Sequence, residues 1–286
     1  MSLERFGPFV GALALATGLA ACGGGVSKSG FVAKADGACA PGNASLGAVA
    51  KPSNLPELVA AAGTVATTVD AQAGALRAVD PPGGDKAVIA GVIGAIAEVS
   101  APARALQDAA GKTDDAATGR AANELKAKVD AAAMQATSYG LLACGAGLQA
   151  PVNTVFEGAR TVIKAGFVAR ADALCTAAAR KAAALSEPTS LAALGRFLVA
   201  YIPIEEKLLA DIKALAVPPG DEAAVGDMVA AQDKVIANDK DMRAAAQKGS
   251  TAQADKFDEL NTTLITAAHA KFDAYGLRNC GSLGNF

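Results

Sequence analysis

Between residues 191 and 215 the apolar side chains Leu191, Leu194, Leu198, Tyr201, Leu208, Ile212 and Leu215 recur at steps of three and four, the signature of one helix face. Glu187-Pro188 stops the helix before it, which spans about 167–186, and Thr189 supplies an N-cap. Pro203 lies inside the pattern and predicts a kink. Beyond the turn Pro218-Pro219-Gly220-Asp221, Val225, Met228, Val235 and Met242 mark a third helix, which Lys248-Gly249-Ser250 breaks. A fourth carries Phe257, Leu260, Leu264, Ala268, Phe272 and Tyr275 and ends at Gly276.

The first half of the chain has the same plan. Leu58, Val65, Val69 and Leu76 lie in its second helix, and Ile89, Val92, Ile96 and Val99 in its third. Its first helix is expected to be interrupted by Pro41-Gly42-Asn43. The wholly apolar run 87–97 is far short of the roughly 20 residues a membrane helix needs, so it is expected to be a buried helix.

The two halves are copies of one another without a gap. Phe31-Val32-Ala33-Lys34-Ala35-Asp36 matches Phe167-Val168-Ala169-Arg170-Ala171-Asp172, Pro82 matches Pro218, and Tyr139-Gly140-Leu141 matches Tyr275-Gly276-Leu277, all at an offset of 136 residues. The expected organisation is a signal peptide over 1–21, a tether over 22–29, a first repeat over 30–148, a connecting segment over 149–165 and a second repeat over 166–284. In the connecting segment, Pro151-Val152-Asn153-Thr154 precedes a small apolar stripe, Val155, Phe156, Ala159, Val162 and Ile163, which predicts a short helix lying on one or both repeats. The expected fold class is all-α: two tandem up-down-up-down four-helix bundles, each closed by a disulfide.

Four of the five cysteines belong to the repeat, Cys39 and Cys144 recurring as Cys175 and Cys280. Four cysteines allow three pairings. Up-down-up-down topology brings the start of helix one and the end of helix four to the same end of each bundle. It therefore favours Cys39–Cys144 and Cys175–Cys280 and an oxidising compartment. Metal thiolates or redox cysteines are the competing reading, and the chain offers them no Cys-x-x-Cys spacing.

The fifth, Cys22, closes Leu19-Ala20-Ala21-Cys22 behind Arg5 and an apolar stretch from Phe9 to Ala21. This segment resembles the lipobox of bacterial lipoproteins. The resemblance implies that the Cys22 thiol carries diacylglycerol and becomes the new N-terminus, so that the membrane is a partner through a lipid anchor. An ordinary signal peptide with an incidental cysteine is the alternative. Gly23-Gly24-Gly25 and Ser27-Lys28-Ser29 read as a flexible tether. The repeated pattern, Ala-Asp-x-x-Cys, then a Pro-Pro turn, then Tyr-Gly-x-x-x-x-Cys-Gly, is similar to uncharacterised secreted helical domains of high-GC, actinobacteria-like bacteria. That resemblance implies no activity.

A net charge of −2 with no basic run gives no electrostatic footprint for nucleic acid. With one His, no Trp and no nucleophile-elbow, phosphate-loop, haem-attachment or zinc-helix motif, no catalytic constellation or cofactor is expected. Carboxylate pairs such as Asp114-Asp115, Glu205-Glu206 and Asp239-x-Asp241 read as helix starts or solvated faces. The expected function is a non-enzymatic binding or scaffold module of the cell envelope. The alternative is a bundle that binds or senses a small ligand or metal, and a hydrolase or redox enzyme is the third possibility.

One difference between the repeats favours the alternative. Glu205, Gln232 and His269 fall where the first repeat has Val69, Ile96 and Ala133. Counted from the turns, Glu205 and Gln232 lie at similar depth, Arg170 comes to about that level, and His269 is displaced by roughly 4.5 Å along the helix. Buried polar groups are costly unless paired or bound, so these four are candidates for an anion or metal site. Boundary residues that bond locally or face water are the blander reading, and it carries more weight because Pro203 upsets the helical phase.

Overall fold

The computed structural model describes residues 26–282, and every regular element among them is helical. The elements are α1 (Lys28–Gly47), α2 (Leu55–Arg77), α3 (Lys86–Ala97), α4 (Ser100–Gly111), α5 (Asp115–Tyr139), α6 (Leu142–Ala182), α7 (Leu191–Lys213), α8 (Glu222–Gln247), α9 (Thr251–Tyr275) and a final 3₁₀ turn, Cys280–Ser282. Shifting α2 and α5 by the repeat offset gives the bounds of α7 and α9, and shifting the outer bounds of α3 and α4 gives those of α8.

Local chemistry sets those ends. Asn54 accepts the Glu57 amide at 3.0 Å, Asp114 the Ala117 amide at 2.9 Å, and Ser190, one residue beyond the expected cap, the Ala193 amide at 3.2 Å. Gly140 and Gly276 stop α5 and α9 in the left-handed region, at φ 108° and 106°.

The expected tether stops short of Ser27-Lys28-Ser29: Ser27 Oγ accepts the Gly30 amide at 3.1 Å and caps α1, so Lys28 and Ser29 are helical. Three further features depart from the sequence reading. First, α1 runs through Pro41 to Gly47, because Gln72 packs on Gly42 and donates to the Cys39 carbonyl at 3.2 Å and to Asn43 Oδ1 at 2.8 Å. Second, the third helix of the first repeat is two helices. Pro102 has no amide for the Glu98 carbonyl and its ring crowds that carbonyl, so α3 ends there; Asn238, at the matching position, leaves α8 unbroken. Third, the connecting segment is no separate element: it lies within α6, which has 41 residues and continues through Pro151 into the first helix of the second repeat. α7 likewise continues through Pro203. Lys86–Gly111 as a whole has span-like length and hydropathy, but Pro102 divides it and Ile89, Val92, Ile96, Val99 and Leu106 are buried in the core.

The disulfides are Cys39–Cys144 and Cys175–Cys280, each with a sequence separation of 105. Around each, the same groups recur. Phe31 meets Tyr139 edge-on at 5.9 Å as Phe167 meets Tyr275 at 5.7 Å. The tyrosine hydroxyls donate to Asp85 and Asp221 at 2.6 and 2.8 Å, and the ammonium groups of Lys28 and Lys164 lie over the rings at 4.4 and 4.1 Å. Asp36 and Asp172 accept backbone amides just before the second cysteine, Ala143 at 3.1 Å and Asn279 at 2.9 Å. Burial, then the Asp85 contact, pushes the Tyr139 hydroxyl up to about 12, so it stays a donor at physiological pH.

The repeats differ in how the seam between first and last helix is filled. In the first, the first half of α6 is the filler, packing on α1, α2 and α5. Its Leu148, Val152, Val155, Phe156 and Ala159 join the core built by α1 to α5. In the second, α6 and α9 meet toward the disulfide end, where Phe167 and Ala171 share a core cluster with Ala268, Phe272 and Tyr275 and the Cys280–Ser282 turn bridges the two helices.

Gly158 allows the wedge its close approach. A Cβ there would stand 2.8 and 2.9 Å from the Pro52 backbone N and O, too close for carbon. Gly158→Ala is expected to destabilise the protein by about 1–3 kcal/mol, read as a lower urea midpoint, because helix and turn must part.

Candidate functional site

On the open seam of the second repeat lies a cavity of about 570 Å³. Leu185 and Pro188 wall it after α6, Leu194, Phe197, Leu198 and Tyr201 on α7, Met242 on α8 and Ile265 on α9. Phe197 and Tyr201, one helical turn apart, stack with ring centroids 5.3 Å apart and planes at 16°. All the charged residues lining the cavity, Glu187, Asp239 and Asp258, are acidic.

Behind the aromatic wall sits a buried polar layer. Gln232 donates to Glu205 Oε1 at 3.2 Å, and Asn238 donates to the Phe257 carbonyl at 2.8 Å and to Asn261 Oδ1 at 3.2 Å. Tyr201 is hydrogen-bonded to the Glu205 carboxyl, which in turn bonds Asp239. Glu205 is 7% exposed and Asp239 1%. Burial, the largest effect, raises both carboxyls above their ordinary range, and their mutual repulsion raises Glu205 further. Two carboxyls buried side by side disfavour double ionisation, which favours one proton held between them. Glu205 Oε2, Asn238 Oδ1 and Asp239 Oδ2 are buried with no hydrogen-bond partner apart from a proton held between the two carboxyls.

Every member of this layer replaces an apolar residue. Tyr201, Glu205, Gln232, Asn238, Asp239 and Asn261 stand where the first repeat has Val65, Val69, Ile96, Pro102, Ala103 and Leu125. Those six are buried in the first repeat.

Of the residues proposed from sequence, Glu205 and Gln232 are brought together here. Arg170 is not: exposed on α6, it pairs with Asp115 of α5. His269, partly exposed on α9, lies eight residues beyond Asn261, roughly 12 Å at the helical rise, and does not line the cavity. The reading of Asp239-x-Asp241 as a solvated pair fails for Asp239, which is buried in the layer. Glu206 is on the surface with Lys240 as its partner at 2.8 Å, and Asp114 caps α5. Tyr201, Asn238, Asp239 and Asn261 escaped the sequence reading, although position-by-position comparison of the repeats would have marked each as an apolar-to-polar exchange. Cys22 lies outside the described residues.

No family model, curated protein or solved structure matches the chain.

Proposed function

We propose that the protein is a non-enzymatic, lipid-anchored extracytoplasmic lipoprotein that binds a small ligand in its second repeat. In this reading the chain comprises two tandem four-helix units. The first is a spacer whose seam is closed by its own α6, and the second is the working unit. The observation that carries it is the cavity at the seam of the second repeat, in the region that α6 fills in the first. An apolar cleft with a few convergent polar groups is the usual form of a small-molecule site. A purely structural repeat would have no use for a buried acidic layer where its copy has valine, isoleucine and leucine. Both disulfides accord with the oxidising exterior that the lipobox-like segment implies.

Native mass measurement on the full chain purified from its own membranes tests both parts. One small molecule per polypeptide and a diacylglycerol adduct at Cys22 are expected. A bare chain, unchanged after incubation with a host metabolite extract, overturns the ligand reading. Cys22→Ala is expected to leave the precursor unprocessed, seen as a larger band. Normal processing and membrane retention of that variant would overturn the anchor.

A further inference from the structure

We infer that the cavity of the second repeat recognises a primary ammonium group carried on an apolar body, with Asp239 and Glu205 as its counter-charge and the Phe197–Tyr201 stack as its apolar wall. The inference rests on the small-ligand reading above and names the ligand's class.

Three independent features of the site converge on that chemistry. The charge that reaches the cavity is of one sign, and Asp239, almost wholly buried, both lines the cavity and keeps Oδ2 without a donor. The buried side-chain atoms of the layer that lack a partner, Asp239 Oδ2, Glu205 Oε2 and Asn238 Oδ1, are all oxygens, and of these residues Asp239 lines the cavity. Their complement is a group with several N–H donors and no acceptor, which describes an ammonium with its three hydrogens. Finally, the wall beside them is a stacked aromatic pair, and aromatic faces attract cations.

Other ligand classes fit less well. A carboxylate or phosphate would meet only like charge. A bare divalent cation needs about six oxygens around it, whereas no group of three or more His, Cys, Asp or Glu side chains among the described residues is arranged to hold a metal ion. A helix like the first half of α6 fits the first repeat, where the matching positions are Ala103, Ala122 and Leu125. In the second repeat it would lay apolar side chains on Asp239, Asp258 and Asn261.

The groups facing the pair are Tyr201 from α7, Gln232 from α8 and Asn261 from α9, with Asp258 of α9 and Glu187 of the α6–α7 turn on the cavity wall; no cation among the described residues lines the cavity. An entering ammonium therefore favours loss of the proton that the carboxyls share. Binding should release up to one proton and tighten as pH rises, as long as the amine stays protonated.

The test titrates the full chain with phenethylamine, 2-phenylethanol and phenylacetate by calorimetry at pH 7, in phosphate and in HEPES, neither of which carries a primary ammonium. Phenethylamine is expected to bind roughly tenfold or more tighter than the alcohol, as a charged hydrogen bond implies. Its heat should differ between buffers by the amount that proton release requires, and phenylacetate should not bind. Asp239→Asn is expected to reduce amine affinity to that of the alcohol. Its melting temperature, expected to be unchanged or higher, shows that the loss is not unfolding. Equal binding of amine and alcohol, or preference for phenylacetate, overturns the ammonium assignment and leaves the small-ligand reading intact. Binding by none of the three also overturns it, and the native mass measurement then decides the broader reading separately.

Discussion

Replacing Cys175 and Cys280 with alanine is expected to lower the stability of the protein by about 3–5 kcal/mol and to weaken ligand binding as well. Each disulfide closes a loop over a separation of 105 residues. In the chain-entropy account a loop of that size is worth about 4.7 kcal/mol. Cys39→Ala with Cys144→Ala should cost a similar amount, since the separation is the same. The consequences for structure differ, because the first seam has a second fastening. Asn43 donates to the Ala143 carbonyl at 2.9 Å, Gly158 sits on Pro52, and a row of apolar residues from α6 is buried between the helices. The second seam has the Asp172–Asn279 bond, the Asn279–Thr176 bond and buried Leu277 near its disulfide, and the cavity at its other end. Without Cys175–Cys280, α6 and α9 should separate. Urea midpoints of the two double variants, with hydrogen exchange along α9, check this. Faster exchange at α9 only when the second pair is removed is the expected pattern.

Much of this architecture was legible because the chain states it twice. Pro82 and Pro218, Gly140 and Gly276, and the cysteine spacing gave the helix ends and the disulfide pairing from topology alone. The misreadings came from prolines, whose effect depends on tertiary contacts that sequence does not display. Pro41 was expected to interrupt α1, yet Gln72 from α2 supports that turn; Pro102 was passed over, yet it divides the third helix. Pro151 marked an expected boundary inside what is one continuous helix. The stripe Val155, Phe156 and Ala159 does lie on the first repeat as expected; its continuity with the first helix of the second repeat is what the proline hides.

The site was half legible for a related reason. Glu205 and Gln232 stood out as polar residues replacing Val69 and Ile96. Asp239 replaces Ala103 in the same way, but its neighbourhood, Asn238-Asp239-Lys240-Asp241, reads as a solvated face, and only packing shows that one carboxylate of that run points inward. Counting residues from the turns estimates depth along a helix but not which way a side chain faces. Depth alone grouped Arg170 and His269 with Glu205, whereas the fold turns Arg170 toward Asp115 and leaves His269 away from the cavity.

Giving the second repeat the apolar layer of the first, Glu205→Val with Gln232→Ile and Asp239→Ala, is expected to raise stability at neutral pH by about 2–4 kcal/mol while abolishing amine binding. Buried charged groups are often less stabilising than apolar residues of matching shape. Here the donors are also too few for the acceptors, and Val69, Ile96 and Ala103 show the replacement shape packed at 0–2% exposure, Ala103 at 0%. The pH dependence gives a second readout with a definite sign. Burial raises both carboxyls from their ordinary values of 4.5 and 3.8, so above those values the folded chain holds more protons than the unfolded one. Stability contributed by the pair is therefore fully present only below those ordinary values and is lost as pH rises from there toward the raised folded values, at up to about 1.4 kcal/mol per pH unit for each proton retained. Urea midpoints at pH 5, 6, 7 and 8 should fall for the natural sequence and stay nearly level for the triple variant, with the widest gap at pH 8. A natural sequence that gains stability relative to the variant over that range would mean that the carboxyls ionise freely. The buried, proton-sharing pair, and the counter-charge assigned to it, would then be wrong.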